Sequence, residues 1–199
     1  MTGTLDDLRT ELSGYGNRTA EYIQKQIHRV PGAPVVVRET FILERCKGQV
    51  VLDIGASGPM HEAIVKIANC VYGIDREESP GVMGLNLDDY HAKLPYYPAV
   101  SLVVCGEVLE HLSNCGHFLD KLRATYKGIP VIITVPNAFT DTGRRHMEEG
   151  ISNVNIDHCY WFDWRTLKTL LARSGYDIKE LFWYKGRARF AEGLIVVTE

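Results

Sequence analysis

One stretch sets the terms for the whole chain: Val50-Val51-Leu52-Asp53-Ile54-Gly55-Ala56-Ser57-Gly58-Pro59, followed by Val71-Tyr72-Gly73-Ile74-Asp75. An apolar run bounded by a glycine turn is a strand buried on both faces, and Pro59 suits the first turn of a helix. The second apolar run is another strand, and it ends on an acid. Strand, glycine turn, helix, strand and acid make up the nucleotide-binding half of an open parallel sheet. The glycines admit close backbone approach, and the acid at the next strand tip accepts ribose hydroxyls. A dinucleotide loop would need glycine at positions 55, 57 and 60. Ser57 and Met60 occupy two of those places, so the pyrophosphate fingerprint fails.

The rest of the chain continues the alternation. Strands are predicted near 50–54, 70–74, 82–87, 100–105 and 129–135. A helix after Pro59 carries Ile64, Ile67 and Ala68, and another carries Phe118, Leu119, Leu122 and Tyr126. Apolar strands joined by helices indicate a mainly parallel sheet covered on both faces. Leu167, Leu170 and Leu171 mark a later helix, which Ser174-Gly175 ends as a C-cap. Two strands follow, at 176–184 and 193–198. Lys185-Gly186-Arg187-Ala188-Arg189 is too short for a crossover helix, so this last pair must be antiparallel. The expected fold is α/β: Rossmann-like, doubly wound, mainly parallel, and closed by an antiparallel C-terminal strand.

Ahead of the sheet, Leu5, Leu8 and Leu12, then Ile23 and Ile27, recur at helical spacing, and residues 37–46 read as a last helix. Pro31-Gly32-Ala33-Pro34 interrupts the series. Residues 1–47 are therefore expected to form an N-terminal helical cover over a domain at 48–199. The 199 residues suffice for one domain with a full core. A net charge of -3 gives no global attraction to nucleic acid or anionic membrane. No apolar run approaches the roughly 20 residues of a membrane span, and no basic, apolar leader follows Met1. Five cysteines without a Cys-x-x-Cys pair read as reduced thiols. The expected setting is cytoplasmic, with no membrane partner; oligomeric state stays open.

These segments together resemble the class I S-adenosylmethionine-dependent methyltransferases. Asp53-Ile54-Gly55-Ala56-Ser57-Gly58 is similar to that family's first motif, with Ser57 departing from the usual glycine. Asp75 matches its ribose-binding acid, and Leu87-Asp88 the place of its adenine contact. Cys105-Gly106-Glu107-Val108-Leu109-Glu110-His111-Leu112 resembles the stretch after its fourth strand, and Val131 to Asn137 its fifth strand. His158 to Phe162 with Leu167, Leu170, Leu171 and Gly175 resembles the approach to its final strands. The resemblance implies S-adenosylmethionine as cofactor, with Asp53, Gly55, Ala56, Ser57, Gly58, Asp75, Arg76, Leu87, Asp88 and Glu107 around it.

For the acceptor the sequence offers two histidines. Neutral His158 or His111 can take a proton from a substrate hydroxyl. The expected reaction is therefore methyl transfer to a small molecule, at oxygen. On one helix, Glu107, Glu110 and His111 would share a face. With His158 they resemble the metal-dependent small-RNA 3′-terminal 2′-O-methyltransferases, which implies a divalent metal and an RNA acceptor. The acidic balance counts against RNA, and Glu107 and His111 more commonly line the pocket, so neither metal nor RNA is favoured. A non-catalytic S-adenosylmethionine-binding protein is the remaining alternative. Arg144, Arg145, Lys185, Arg187 and Arg189 are expected to flank the mouth of the sheet or its final hairpin, where a solvated loop and hairpin tip is the commoner outcome and reception of an anionic substrate the alternative.

Overall fold

A computed structural model describes residues 30–152 and 154–199. The helical repeats of Leu5, Leu8, Leu12, Ile23 and Ile27 lie outside the described residues. Gly32–Glu199 forms one compact unit. Its strands are β1 (Val35–Val36), β2 (Val50–Ile54), β3 (Cys70–Asp75), β4 (Val82–Gly84), β5 (Leu102–Gly106), β6 (Val131–Pro136), β7 (Ile178–Tyr184) and β8 (Gly193–Thr198). Its α-helices are α1 (Arg38–Cys46), α2 (Gly58–Ile67), α3 (Cys115–Thr125), α4 (Asp141–Glu148) and α5 (Trp164–Arg173).

The strands form one sheet in the order β1-β7-β8-β6-β5-β2-β3-β4. β8 runs antiparallel to β6 and β7, and every other pair is parallel. This is the doubly wound sheet expected, with its antiparallel closure. No described helix is long and apolar enough to cross a membrane.

The strand pleat splits the core into two layers. Leu52, Ile54, Val103, Cys105, Val131 and Ile133 face one side, where Phe118, Leu119 and Leu122 of α3 and Leu167 and Leu171 of α5 cover them. Val51, Leu102, Val104 and Ile132 face the other, under Phe41 and Ile42 of α1 and Ile64 of α2. Alternate residues of each strand thus feed opposite layers, which is why the strands read as unbroken apolar runs. Each buried Leu, Ile or Phe contributes roughly 1.5–3 kcal/mol. At α5 a capping box holds the first turn: the Asp163 side chain accepts from Thr166 N at 2.7 Å, and Asp163 N donates to Thr166 Oγ1 at 2.9 Å. Gly175, at φ +77, ends it in the left-handed turn the sequence signalled.

Three features depart from the sequence reading. β1 was not anticipated: the Pro-Gly-Ala-Pro segment delivers two extended residues that add to β7, in register Val35 with Trp183. α4 fills the span after β6, without a single buried residue to announce it. β4 stops at Gly84, three residues early. Beyond it, Asp88 N folds back onto Asn86 Oδ1 at 3.1 Å, so the chain turns across the sheet's carboxyl end instead of extending.

Candidate functional site

The carboxyl ends of β2 to β5 open into a cleft of about 730 Å³. β2 is the point where strand order reverses: β3 lies on one side of it and β5 on the other. Helices leave in opposite directions there, so a crevice is unavoidable. The β2–α2 turn makes its floor. Gly55 takes φ +82, and an added Cβ would meet Val108 Cγ2 at 2.6 Å. Only glycine lets this turn press against the β5 exit. Gly55 N and Ala56 N both donate to Ile74 O, tying the turn to β3.

Asp53, Gly55, Ser57, Asp75, Arg76, Leu87, Asp88, Glu107 and His111 all line the cleft. Ala56 is buried beneath the turn, and Gly58, at φ +65, opens α2 beside it. Asp75 closes β3 with Oδ1 accepting from Arg76 N at 2.6 Å. Asp88 is anchored on Ser113, whose N and Oγ donate to its two carboxylate oxygens at 2.7 and 3.2 Å. That clasp joins the β4 turn to the loop after β5. Tyr160 extends it, donating its hydroxyl to Ser113 O at 2.7 Å.

Asp53 is almost fully buried, and its Oδ2 sits 2.7 Å from His61 Nδ1. Burial pushes the Asp53 carboxyl up from its ordinary value, and the bond to His61 opposes the rise. The ring has room because residue 73 is glycine: a Cβ there would lie 3.0 Å from His61 Cε1. His61 is a site residue the sequence reading missed. Its signal was present, eight residues beyond Asp53 in the first turn of α2.

The segment after β5 corrects one expectation outright. It is not a helix that carries Glu107, Glu110 and His111 on one face. Glu107 adopts φ 55, and only Leu109–His111 form a short 3-10 turn. The left-handed residue re-aims the chain, and Glu107 is held by β6 and β7. Its Oε1 accepts from Thr134 Oγ1 and Tyr184 Oη, each at 2.8 Å, and lies 3.6 Å from Arg38 Nη1. Tyr184 reaches it only because its register partner is Gly193, where a Cβ would overlap the phenol ring. Burial, then the Glu107 charge, push the Tyr184 hydroxyl well above its ordinary value, so it is a firm donor. Thr134, Tyr184 and Arg38 gave no sequence signal: they come from β6, β7 and α1.

Glu110 turns inward. It is 1% exposed, and both carboxylate oxygens are buried without a hydrogen-bond partner among the described residues. Burial, reinforced by Glu107, pushes its pKa up to about 8. Cys159 N and Tyr160 N both donate to Glu110 O, which pins the loop before α5 onto this turn. The loop brings His158 against His111, the rings edge-to-face at 4.7 Å. Ligand atoms of Glu110, His111 and His158 lie within 4.8 Å of one another. Two metal–ligand bonds of about 2.1 Å span at most roughly 4.2 Å, so the three side chains would have to close slightly around an ion. Burial, then His111, hold His158 below the ordinary imidazole value. Its neutral form prevails at neutral pH. Of the four residues grouped by spacing, the structure brings three together and sends Glu107 elsewhere.

No family model matches the chain, and no curated protein matches it in sequence. Solved structures do match in fold. A SAM-dependent methyltransferase from Aquifex aeolicus aligns with TM-score 0.59 at 16% identity, over 81% of this chain and 89% of that one. The Burkholderia thailandensis 1,6-didemethyltoxoflavin-N1-methyltransferase, solved with S-adenosylhomocysteine, gives 0.57 at 15%, over 80% and 75%. The fold is that of the class I S-adenosylmethionine-dependent methyltransferases. The small RNA methyltransferase HEN1 shares this methyltransferase fold, with TM-score 0.62 at 14% identity. It matches over 87% of this chain but 26% of its own length. Every residue expected around the cofactor lies in the cleft at the β2 switch point or in the turn beneath it.

Proposed function

We propose that this chain is an S-adenosylmethionine-dependent methyltransferase that methylates a hydroxyl oxygen of a small-molecule acceptor presented at Glu110, His111 and His158. The observation that carries the reading is the buried carboxylate of Glu110, unpartnered among the described residues, beside two imidazoles and next to a cleft lined by Asp75 at the tip of β3. A volume of about 730 Å³ falls within the ~300–1,000 Å³ usual for small-molecule sites.

The chain's own residues have a limited task, because a sulfonium already activates its methyl group. Asp75 holds the ribose, Leu87 and Asp88 border the adenine, and the Gly55 turn fits the chain leading to sulfur. The acceptor oxygen must lie in line with the methyl at roughly 3–3.5 Å, with water excluded. His158, neutral at working pH, accepts the hydroxyl proton or donates a lone pair to a cation.

A divalent cation fits the donor set. Two imidazoles and one carboxylate suit Fe²⁺ or Mn²⁺, and the Glu110 oxygens have no other partner among the described residues. Glu110, His111 and His158 would hold it. A cation held there would supply polarisation and orientation of an acceptor hydroxyl. Isothermal titration with S-adenosylmethionine, then S-adenosylhomocysteine release over a panel of hydroxyl acceptors with Mn²⁺ or with EDTA, tests the reading. Binding, turnover and loss of turnover in EDTA are expected. A folded sample that binds no cofactor would sink it.

A second reading takes the 3′ end of an RNA as acceptor. It is supported by the fold likeness to the small RNA methyltransferase and by the rim beyond β6 and β7. There Arg189 lies over the exposed Phe190 ring at 5.1 Å, Phe139 and Trp161 are also exposed, and Lys185 and Arg187 pair with Glu192 and Asp141. Stacking faces among cations suit unpaired bases. Methyl transfer to an oligoribonucleotide that requires its terminal 2′-hydroxyl would favour this reading over the first.

A further inference from the structure

The loop before α5 is strapped along the segment that follows β5. Cys159 N and Tyr160 N donate to Glu110 O at 2.7 and 3.2 Å, and Tyr160 Oη donates to Ser113 O at 2.7 Å. Further on, Ala138 N donates to Phe162 O at 2.7 Å, which fixes the far end of the loop just past β6. His158 stands immediately before the pinned pair, so its ring inherits its place from those bonds. The Tyr160 hydroxyl is separable from the packing of its ring. The residue is 39% exposed, and its ring centre lies 6.1 Å from that of Phe162. Phenylalanine would keep that ring contact and lose only the bond to Ser113.

Ser113 is the joint between two halves of the site. Its O accepts from Tyr160, while its N and Oγ donate to Asp88 Oδ1 and Oδ2 at 2.7 and 3.2 Å. A line of contacts thus runs from the loop that carries His158, through the segment after β5, to the turn after β4. The joint to Asp88 is charge-assisted, which makes such bonds roughly twice as strong as neutral ones. A carboxylate offers about four lone-pair sites, and Ser113 takes two of them, so Asp88 can hold this line and meet a ligand at once. One end of the line lies in the cleft, and the other lies beside the Glu110, His111 and His158 cluster. A ligand at either end orders the same strut. The second ligand then meets a site that the first has already made rigid.

We propose that Tyr160 is a positioning residue that couples the two ligand sites: through Ser113 and Asp88 it makes occupancy of the methyl-donor cleft and occupancy of the Glu110–His111–His158 cluster favour one another. This rests on the donor and cation readings above and adds the linkage between them. Linkage is reciprocal, so each ligand tightens the other by the same factor. The worth of one hydrogen bond sets its size, about threefold to tenfold. The acceptor's anchor is then firmest when the donor is already seated.

Isothermal titration on the full chain measures Mn²⁺ affinity with and without saturating S-adenosylhomocysteine, and S-adenosylhomocysteine affinity with and without Mn²⁺. S-adenosylhomocysteine has no net charge near neutral pH, so it exerts little direct Coulomb force on the ion. The wild type should show a linkage factor of about threefold to tenfold in both directions. Y160F should keep each affinity, measured alone, within about threefold of wild type and bring the factor to about one. A tyrosine that merely braced the loop would weaken binding on replacement and leave the factor where it was. D88A removes both joints to Ser113. It lowers S-adenosylhomocysteine affinity on its own account, but the factor is a ratio and should also approach one. It serves as the readout if thermal unfolding shows that Y160F does not fold. A wild type without linkage, or either folded variant with the wild-type factor, overturns the strut while leaving both readings intact. A folded wild type that binds no Mn²⁺ overturns the cation reading and the strut with it. One that binds no S-adenosylhomocysteine overturns the donor reading and the strut.

Discussion

Replacing Glu110 by glutamine separates the charge of this carboxyl from its shape. Without a metal, the buried side chain takes up its proton at about pH 8, whereas an ordinary glutamate does so near 4.5. The native state therefore keeps a proton that the unfolded chain has already lost. Below pH 4.5 both states are protonated and the group adds no pH-dependent cost. From 4.5 upward, stability falls, and the loss is complete above pH 8. The interval is 8 minus 4.5, or 3.5 units; at 1.36 kcal/mol per unit it is worth about 5 kcal/mol at most. Glutamine has no charge to lose, so E110Q should show none of this slope. Its own buried amide costs roughly 1–3 kcal/mol at every pH, so slope and not offset is the readout. Urea unfolding in EDTA between pH 5 and 8.5 measures both proteins. A cation held by Glu110, His111 and His158 should restore the wild type at pH 8, by about 2.7 kcal/mol at a hundredfold excess over Kd, and leave E110Q unmoved. Parallel pH profiles for the two proteins would refute the buried-charge argument. Equal stabilisation of both by Mn²⁺ would refute the metal assignment.

Two packing predictions follow from single contacts. Gly193→Ala places a methyl group into the Tyr184 ring, and should cost about 1–3 kcal/mol in unfolding free energy by overpacking. A melting temperature within a degree of wild type would contradict it. Asn137 donates from Nδ2 to Ala191 O at 2.9 Å and Arg189 O at 3.1 Å, so it staples the β6 exit to the final hairpin. Asn137→Ala leaves those carbonyls unpaired and should cost about 1–3 kcal/mol. Unchanged proteolysis of the 185–192 segment would count against that staple.

The core elements were legible because each depends on its own sequence. β2 matched its expected bounds, 50–54, as did β8 at 193–198, because a strand buried on both faces must be apolar at nearly every position. The C-cap at Gly175 and the glycine turn at Gly55 were equally readable, since a positive φ leaves glycine as the cheap choice. Elements with an exposed or weakly apolar pattern were not readable. α4 buries none of its residues, and β1 is two residues long, held only by its pairing with β7.

The β2–β3 half of the cleft was thus a property of local sequence: Gly55 and Asp75 lie on consecutive strand ends, and any parallel sheet brings those ends together. The other half depended on tertiary structure. Spacing put Glu107 with Glu110 and His111, but spacing assumes a helix, and one left-handed residue turned Glu107 towards Thr134 and Tyr184. His158 meets His111 only because two backbone amides after it bond Glu110 O. Arg38 stands 69 residues before Glu107, and no periodicity links them; α1 packs against the sheet and carries the guanidinium over its end. Local sequence specifies strands and turns through backbone preference and burial. Which charges face one another across the cleft is decided by how separate elements pack, and that information is not stored at any one place in the chain.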